Sequence, residues 1–77
     1  MFYVYLLRNK SDKRLYFGYT SDLKDRVRQH NAKGKWKLIY YEAYLAEQDA
    51  RVRERKLKHY GQTRTHLKTR LKVSLSM

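Results

Sequence analysis

Six consecutive apolar and aromatic residues near the start of the chain constrain its fold more than any other feature. Residues 2–7 read Phe-Tyr-Val-Tyr-Leu-Leu, and a polar run, Arg-Asn-Lys-Ser-Asp, follows them. A run of this length and composition is typical of a strand that is covered on both faces. A chain of 77 residues has room for one hydrophobic core. We therefore expect a single domain, residues 1–77, with this strand near the centre of its sheet.

A second strand is expected at residues 15–19, after a polar hairpin loop at residues 9–14. A turn centred near Ser11 places Tyr5 opposite Gly18 in an antiparallel pair. The same register places four residues on one face of the sheet: Tyr3, Tyr5, Tyr16 and Gly18. A glycine inside a strand usually marks a bulge or the close approach of another group. We expect Gly18 to leave room beside Tyr5.

After the second strand, the spacing of the apolar residues changes from that of a strand to that of a helix. Thr20 or Ser21 is expected to cap this helix, because both side chains accept hydrogen bonds from backbone N–H groups. At helical spacing the inward stripe contains two apolar and two polar residues: Leu23, Arg26, Val27 and His30. Arg26 and His30 are thus predicted to lie at the edge of the core, where folding alone does not require them.

The remaining segments complete an α+β pattern. Gly34 is expected to adopt a left-handed conformation in the turn after the first helix. The sequence then predicts a strand at residues 36–43 and helices at residues 46–59 and 63–73, with Gly61 just after the C-cap of the earlier helix. The predicted fold is α+β, a three-stranded antiparallel β-sheet flanked by three helices in the order β-β-α-β-α-α.

Glu54 lies on the inward stripe of the helix predicted at residues 46–59, between Ala50 and Leu57. An unpaired carboxylate in such a position costs several kcal/mol of folding free energy. The charge of Glu54 therefore requires a cation, which either Arg53 or a metal ion could supply.

The charge of the chain predicts a polyanionic partner. Nineteen Lys and Arg residues against seven acidic residues give a net charge of +12. Nucleic acid is favoured over anionic lipid, because the basic residues are spread along the chain and ten Tyr and Phe residues can stack on bases. No apolar run is long enough to span a membrane, and the absence of cysteine excludes thiolate zinc sites. A cytoplasmic location is the expectation.

Taken in order, these motifs resemble the GIY-YIG nuclease superfamily, in particular its small stand-alone bacterial members. Residues 3–5, Tyr-Val-Tyr, are similar to the first motif, and residues 16–18, Tyr-Phe-Gly, are similar to the second. Arg26 and His30 match the arginine and the following histidine of the family helix, and Glu54 matches the metal-binding glutamate. The resemblance extends over nearly the whole chain.

The resemblance implies cleavage of phosphodiester bonds with one Mg²⁺ or Mn²⁺ ion. By that resemblance Tyr5 and Tyr16 are candidates for the general base, Arg26 binds the scissile phosphate and His30 assists proton movement. Glu54 is then the metal ligand, while Tyr3 and Gly18 belong to the structural motif. We expect Arg26 and Glu54 to project onto the sheet face that carries Tyr5 and Tyr16.

This sequence also departs from the family pattern. Tyr3 replaces the usual glycine of the first motif. Residues 31–36 form a shorter segment than in related small proteins. The asparagine that some relatives use in or after the last helix is not evident in this chain. The short segment is expected to reduce contact with DNA or to open the site.

Each candidate residue also has an ordinary structural interpretation. Tyr3 and Tyr5 could be core aromatics, and Arg26 and His30 could extend their polar ends into water. Glu54 could form a surface ion pair with Lys58 or Arg51.

Two classes of function therefore compete. The first is a metal-dependent endonuclease, acting on DNA in preference to RNA, and the second is a nucleic-acid-binding module without turnover that depends on a partner protein for targeting. For the oligomeric state we expect a monomer or a weak homo-oligomer. No recognition motif such as a zinc finger is present, so specificity is expected to be low or structural.

Overall fold

The first strand is the centre of the sheet, as its apolar run predicts. The structure, a computed structural model, describes residues 1–77. Its elements are β1 (Phe2–Asn9), β2 (Leu15–Thr20), α1 (Leu23–Asn31), β3 (Trp36–Tyr44), α2 (Glu47–His59), α3 (Gly61–Arg70) and α4 (Lys72–Ser76). Strand β1 pairs antiparallel with both neighbours, in the order β2-β1-β3. The α+β fold with a three-stranded antiparallel sheet is confirmed.

The predicted hairpin register is also confirmed, and it gives the sheet two chemically different faces. Tyr5 pairs with Gly18, and Leu7 pairs with Tyr16. Because side chains alternate along a strand, one face carries Tyr3, Tyr5, Tyr16 and Gly18, and we call it the tyrosine face. The opposite face, which we call the core face, carries Val4, Leu6 and Phe17.

Helices α2 and α3 cover the core face. Ala50 and Leu57 of α2 and Leu67 of α3 form one buried cluster with the apolar side chains of the core face. Arg8, which lies on the same face, donates hydrogen bonds to the backbone oxygens of Leu75 and Met77 and so holds α4 against β1. The same bonds provide acceptors for the buried Arg8 guanidinium. β1 extends to Asn9, beyond its predicted end, because its last residues continue to pair with β3 at Lys37 and Trp36.

Three local expectations differ from the structure. The N-cap of α1 is Asp22, whose carboxylate accepts a hydrogen bond from the Asp25 N–H, whereas the Thr20 hydroxyl forms a turn with the backbone of Asp22. A carboxylate at this position also interacts favourably with the helix dipole. Gly61 begins α3 instead of ending α2 in a left-handed conformation. The helix predicted at residues 63–73 is divided at Leu71, where φ is −102° and ψ is 20°.

Two residues have positive φ angles. Gly34 has the predicted left-handed conformation, with φ of 67°, in the turn between α1 and β3. Lys13, in the loop between β1 and β2, has φ of 64° although it is not a glycine. This conformation is uncommon for a residue with a Cβ atom. None of the helices is long and apolar enough to cross a membrane.

Candidate active site

Gly18 provides the space in which the Tyr5 ring lies. A Cβ atom added to Gly18 would lie 2.3 Å from both the Cζ and the hydroxyl oxygen of Tyr5. No real side chain tolerates such a distance, so position 18 must be glycine as long as the ring stays in place. The expected room beside Tyr5 is therefore present, and the Tyr5 ring fills it.

Three aromatic rings meet on the tyrosine face. The ring centroids of Tyr5 and Tyr16 are 6.3 Å apart, and the His30 centroid lies 6.1 Å from Tyr5 and 5.7 Å from Tyr16. These separations are within the range of favourable aromatic contacts. All three residues are among the site candidates named from the sequence.

Trp36 joins this cluster, with its ring centroid 6.1 Å from that of Tyr16. Its role was missed in the sequence, where the Trp36 side chain was assigned no face. In the structure Trp36 pairs with Asn9 on β1 and so shares a face with Tyr5 and Leu7. Strict alternation along β3 from Tyr41, the partner of Tyr5, would place Trp36 on the opposite face. A register shift between β1 and β3 at Leu6 and Leu7 brings it to the tyrosine face.

Helix α1 packs over the tyrosine face and carries Arg26 and His30. Leu23 and Val27 are half-buried beneath it, and the two polar residues of the predicted stripe are half-buried as well. Half-burial of Arg26 is compatible with a packed stem and a polar end in water, whereas the His30 ring lies against Tyr5 and Tyr16. Asp22, the N-cap of α1, fixes the start of the helix and hence the position of both side chains.

The Tyr5 hydroxyl is buried and has no hydrogen-bond partner. A buried hydroxyl without a partner costs about 1–3 kcal/mol. Burial and the neighbouring Tyr16 raise the pKa of Tyr5, whereas the positive charge of Arg26 acts in the opposite direction and lowers it. The hydroxyl is thus protonated at neutral pH and lies within the electrostatic reach of the guanidinium.

His30 is held in its neutral form. Burial lowers the pKa of its imidazole, and the positive charges of Arg26 and Lys33 lower it further. A neutral imidazole near pH 7 can accept a proton. Tyr16, by contrast, is 41% exposed, so water reaches its ring.

Glu54 lies on α2, which packs on the core face through Ala50 and Leu57. The expectation that the Glu54 side chain projects onto the tyrosine face stays a prediction. Lys58 nevertheless connects the two sides, because its Nζ lies 3.2 Å from Glu54 Oε2 and 5.7 Å from the centroid of the Tyr16 ring. Strand β2 is an edge strand, so this link passes around the outer edge of β2.

Arg53 does not neutralise Glu54. Its guanidinium makes a bidentate pair with Glu42 on β3, with Arg53 Nε 3.0 Å from Glu42 Oε1 and Nη2 3.0 Å from Oε2. Lys58, one helical turn after Glu54, supplies the cation instead. The surface-pair interpretation of Glu54 was therefore correct about its partner.

Glu54 is the carboxylate at this edge of the sheet that matches the family's metal ligand. No group of three or more His, Cys, Asp or Glu side chains is arranged to hold a metal. Mg²⁺, however, usually keeps several water molecules and binds through one or two carboxylates together with substrate phosphates. The Glu54 carboxylate, whose side chain is 21% exposed beside Tyr16 and Lys58, is consistent with such a ligand.

The chain is similar to a known protein family and to proteins of two other organisms. The GIY-YIG catalytic domain family matches residues 1–68 of the chain. A UPF0213 protein of Clostridium perfringens is 36% identical, covering 70% of this chain and 67% of that protein. A UPF0213 protein of Haloquadratum walsbyi is 37% identical, covering 75% of this chain and 74% of that protein. No solved structure matches the chain. With a sheet, an aromatic cluster and a helical arginine in family order, the chain belongs to the GIY-YIG family, whose domain is a nuclease domain.

Proposed function

We propose that the protein is a divalent-metal-dependent endonuclease that hydrolyses phosphodiester bonds, with DNA as the favoured substrate. The observation that carries this proposal is the buried Tyr5 hydroxyl, which lacks a partner and lies within reach of the Arg26 charge. A folded protein rarely leaves a buried hydroxyl without a hydrogen bond. Once the side chains that cover the Tyr5 hydroxyl move aside, a nonbridging phosphate oxygen would accept one hydrogen bond from Tyr5 and a second from Arg26.

The other side chains divide the remaining tasks. Arg26 would donate charge-assisted hydrogen bonds to the phosphate as negative charge develops on its oxygens. Tyr16 is the better candidate for activating the attacking water, because it is exposed whereas burial raises the pKa of Tyr5. The neutral imidazole of His30, next to both rings, would take the proton onward.

Glu54 would hold the metal ion, Mg²⁺ or Mn²⁺, at the outer edge of β2. When bound there, the ion would neutralise charge on the phosphate and on the leaving oxygen. Lys58 must then yield one oxygen of Glu54 or share the carboxylate with the ion.

The test compares each site residue with a matched residue on the same helix. Glu54→Gln and Arg26→Ala should each lower Mn²⁺-dependent cleavage of labelled DNA by at least about 100-fold, since each removes charge stabilisation at the phosphate. Glu47→Gln and Arg28→Ala are the controls and should retain activity. Glu47 pairs with Arg51 four residues later, as Glu54 pairs with Lys58. Arg28 pairs with Asp25 on the exposed side of α1.

Binding must be measured beside cleavage. Anisotropy of the same DNA should show binding by all four variants, because most basic residues lie outside the site. Binding without cleavage by the unmodified protein, with either metal and on both DNA and RNA, would favour the binding module instead.

A further inference from the structure

A basic groove runs along the outer edge of β2, beside the candidate active site. It has a volume of about 530 Å³ and lies between β2 and the helices α2 and α3. Four cationic side chains line it, and no acidic side chain does: Lys13, Lys58, Arg64 and Lys68. We call this feature the edge groove. Its floor is apolar and consists of Leu15, Phe17 and Leu57.

Three of the four cations in the edge groove have no acidic partner, whereas Lys58 pairs with Glu54. Lys13 and Lys68 are exposed and take part in none of the five ion pairs of the protein. Arg64 is fixed in place, because its Nη1 donates hydrogen bonds to the carbonyl oxygens of Leu57 and Lys58 at 2.9 and 2.8 Å. Anions are thus the ligands that this groove favours.

The hairpin loop between β1 and β2 places Lys13 at the edge groove. Lys13 has a left-handed conformation, with φ of 64°, which hairpin loops commonly require at one position. Its backbone N–H donates a hydrogen bond to the carbonyl oxygen of Asn9. The loop therefore contributes a cation to the lining of the edge groove.

The edge groove is continuous with the active site. Tyr16 and Lys58 line the groove, and the same two side chains belong to the link between the tyrosine face and Glu54. A polymer whose scissile phosphate lies at Arg26 and Tyr16 would therefore pass over the edge of β2 and enter the groove.

We propose that the edge groove binds a single-stranded nucleic acid segment next to the scissile phosphate. This inference rests on the proposed nuclease function. The groove has the volume of a small-molecule site, which is enough for individual nucleotides. Its cations face the phosphates, and the exposed ring of Tyr16 stacks on an unpaired base, which a duplex does not offer. The strand must bend around β2, so the preferred substrates carry a single-stranded flap or tail.

Binding in EDTA tests the groove separately from catalysis. The variant Lys13→Gly/Lys68→Ala removes two cations, and the glycine keeps the left-handed loop without strain. Its affinity for a fluorescent single-stranded or flapped oligonucleotide should fall about tenfold, whereas its affinity for a blunt duplex should change less than about threefold. Each lost phosphate contact with a single strand lowers the salt dependence of the binding constant by about 0.7. With two cations removed, the slope of the logarithm of the binding constant against the logarithm of the salt concentration should become shallower by about 1.4.

The control is Lys24→Ala/Lys56→Ala, which removes the same charge from two exposed lysines outside the groove. It should change binding of every substrate by less than about threefold. Equal losses in the two double variants, or an equal loss for duplex and single strand, would overturn the proposal. Because no cleavage is measured, failure here differs from failure of the nuclease function, which the metal-dependent assay detects.

Discussion

Tyr5 shows how one residue can serve the core and the site together. Its side chain is among the largest that are fully buried, yet its hydroxyl has no partner inside the protein. The interpretation of Tyr5 as a core aromatic is thus correct for its ring but does not account for its hydroxyl. Sequence alone could place the ring opposite Gly18, because register follows from turn position. It could not reveal the missing partner, which depends on the packing of α1.

Gly18→Ala should destabilise the protein by about 1–3 kcal/mol, the usual range for overpacking. The physical reason is the clash between the new Cβ and the Tyr5 ring, only 2.3 Å away. Urea denaturation measures the change. In a Tyr5→Leu background the added cost of Gly18→Ala should be much smaller, because the ring is gone. Equal costs in both backgrounds would show that the clash is not the cause.

The pH at which activity is lost on the acid side should depend on the pKa of His30. In the proposed mechanism the neutral form of His30 accepts a proton, and burial with two nearby cations lowers the pKa of its imidazole below the usual 6.5. Activity should therefore persist below pH 6.5 and fall only at lower pH. Lys33→Ala removes one of these cations and should move the apparent pKa of kcat/KM upward, toward 6.5.

Lys35→Ala is the matched control for Lys33→Ala. Lys35 lies in the same turn but is not among the charges that affect His30, so its removal should leave the profile unchanged. An identical shift in both variants would mean that general charge, and not proximity to His30, sets the acid limb.

At the scale of elements, α2 presents a different ion pair to each edge of the sheet. Arg53 reaches Glu42 on β3, and Lys58 joins Glu54 beside β2. Sequence periodicity placed Arg53 and Glu54 together on the inward stripe, which was correct for the helix. It could not predict that neighbouring residues on that stripe would diverge to opposite edges, because the direction of α2 across the sheet depends on tertiary packing.

The Glu42 cluster on β3 should contribute to stability in a pH-dependent way. Burial by itself would raise the pKa of Glu42, but hydrogen bonds from Arg53, Tyr44 and Tyr40 outweigh burial, so the pKa is lowered. The folded state therefore binds this proton more weakly than the unfolded state. Its stabilisation is fully present above the unfolded pKa of about 4.3 and is lost as pH falls through the folded pKa.

Glu42→Gln should lower the free energy of unfolding at pH 7 by about 1.5–3 kcal/mol, the range for hydrogen bonds to charged groups. It should also flatten the loss of stability between pH 7 and pH 3, which thermal denaturation measures. Asp49→Asn, an exposed position on α2, is the control with the same charge change. A similar loss in Asp49→Asn would contradict a specific role for the cluster.

At the scale of the whole molecule, the sheet separates the two halves of the site. The tyrosine face supplies Tyr5, Tyr16, Arg26 and His30, and the helix on the core face supplies Glu54. Motif order in the sequence groups these residues into one candidate site. It does not predict their arrangement around an edge strand, because residue patterns define the faces of single elements and not which face of the sheet each helix covers. The strand order β2-β1-β3 is what brings the halves together.

The contact between Gly18 and Tyr5 predicts how these two positions vary among related sequences. A side chain at position 18 and an aromatic ring at position 5 exclude one another at the distances seen here. Positions 5 and 18 should therefore change together across an alignment of related sequences, with any residue other than glycine accompanied by loss of the aromatic ring. Relatives with both changes would have lost the tyrosine hydroxyl and should be candidates for proteins that bind nucleic acid without cutting it.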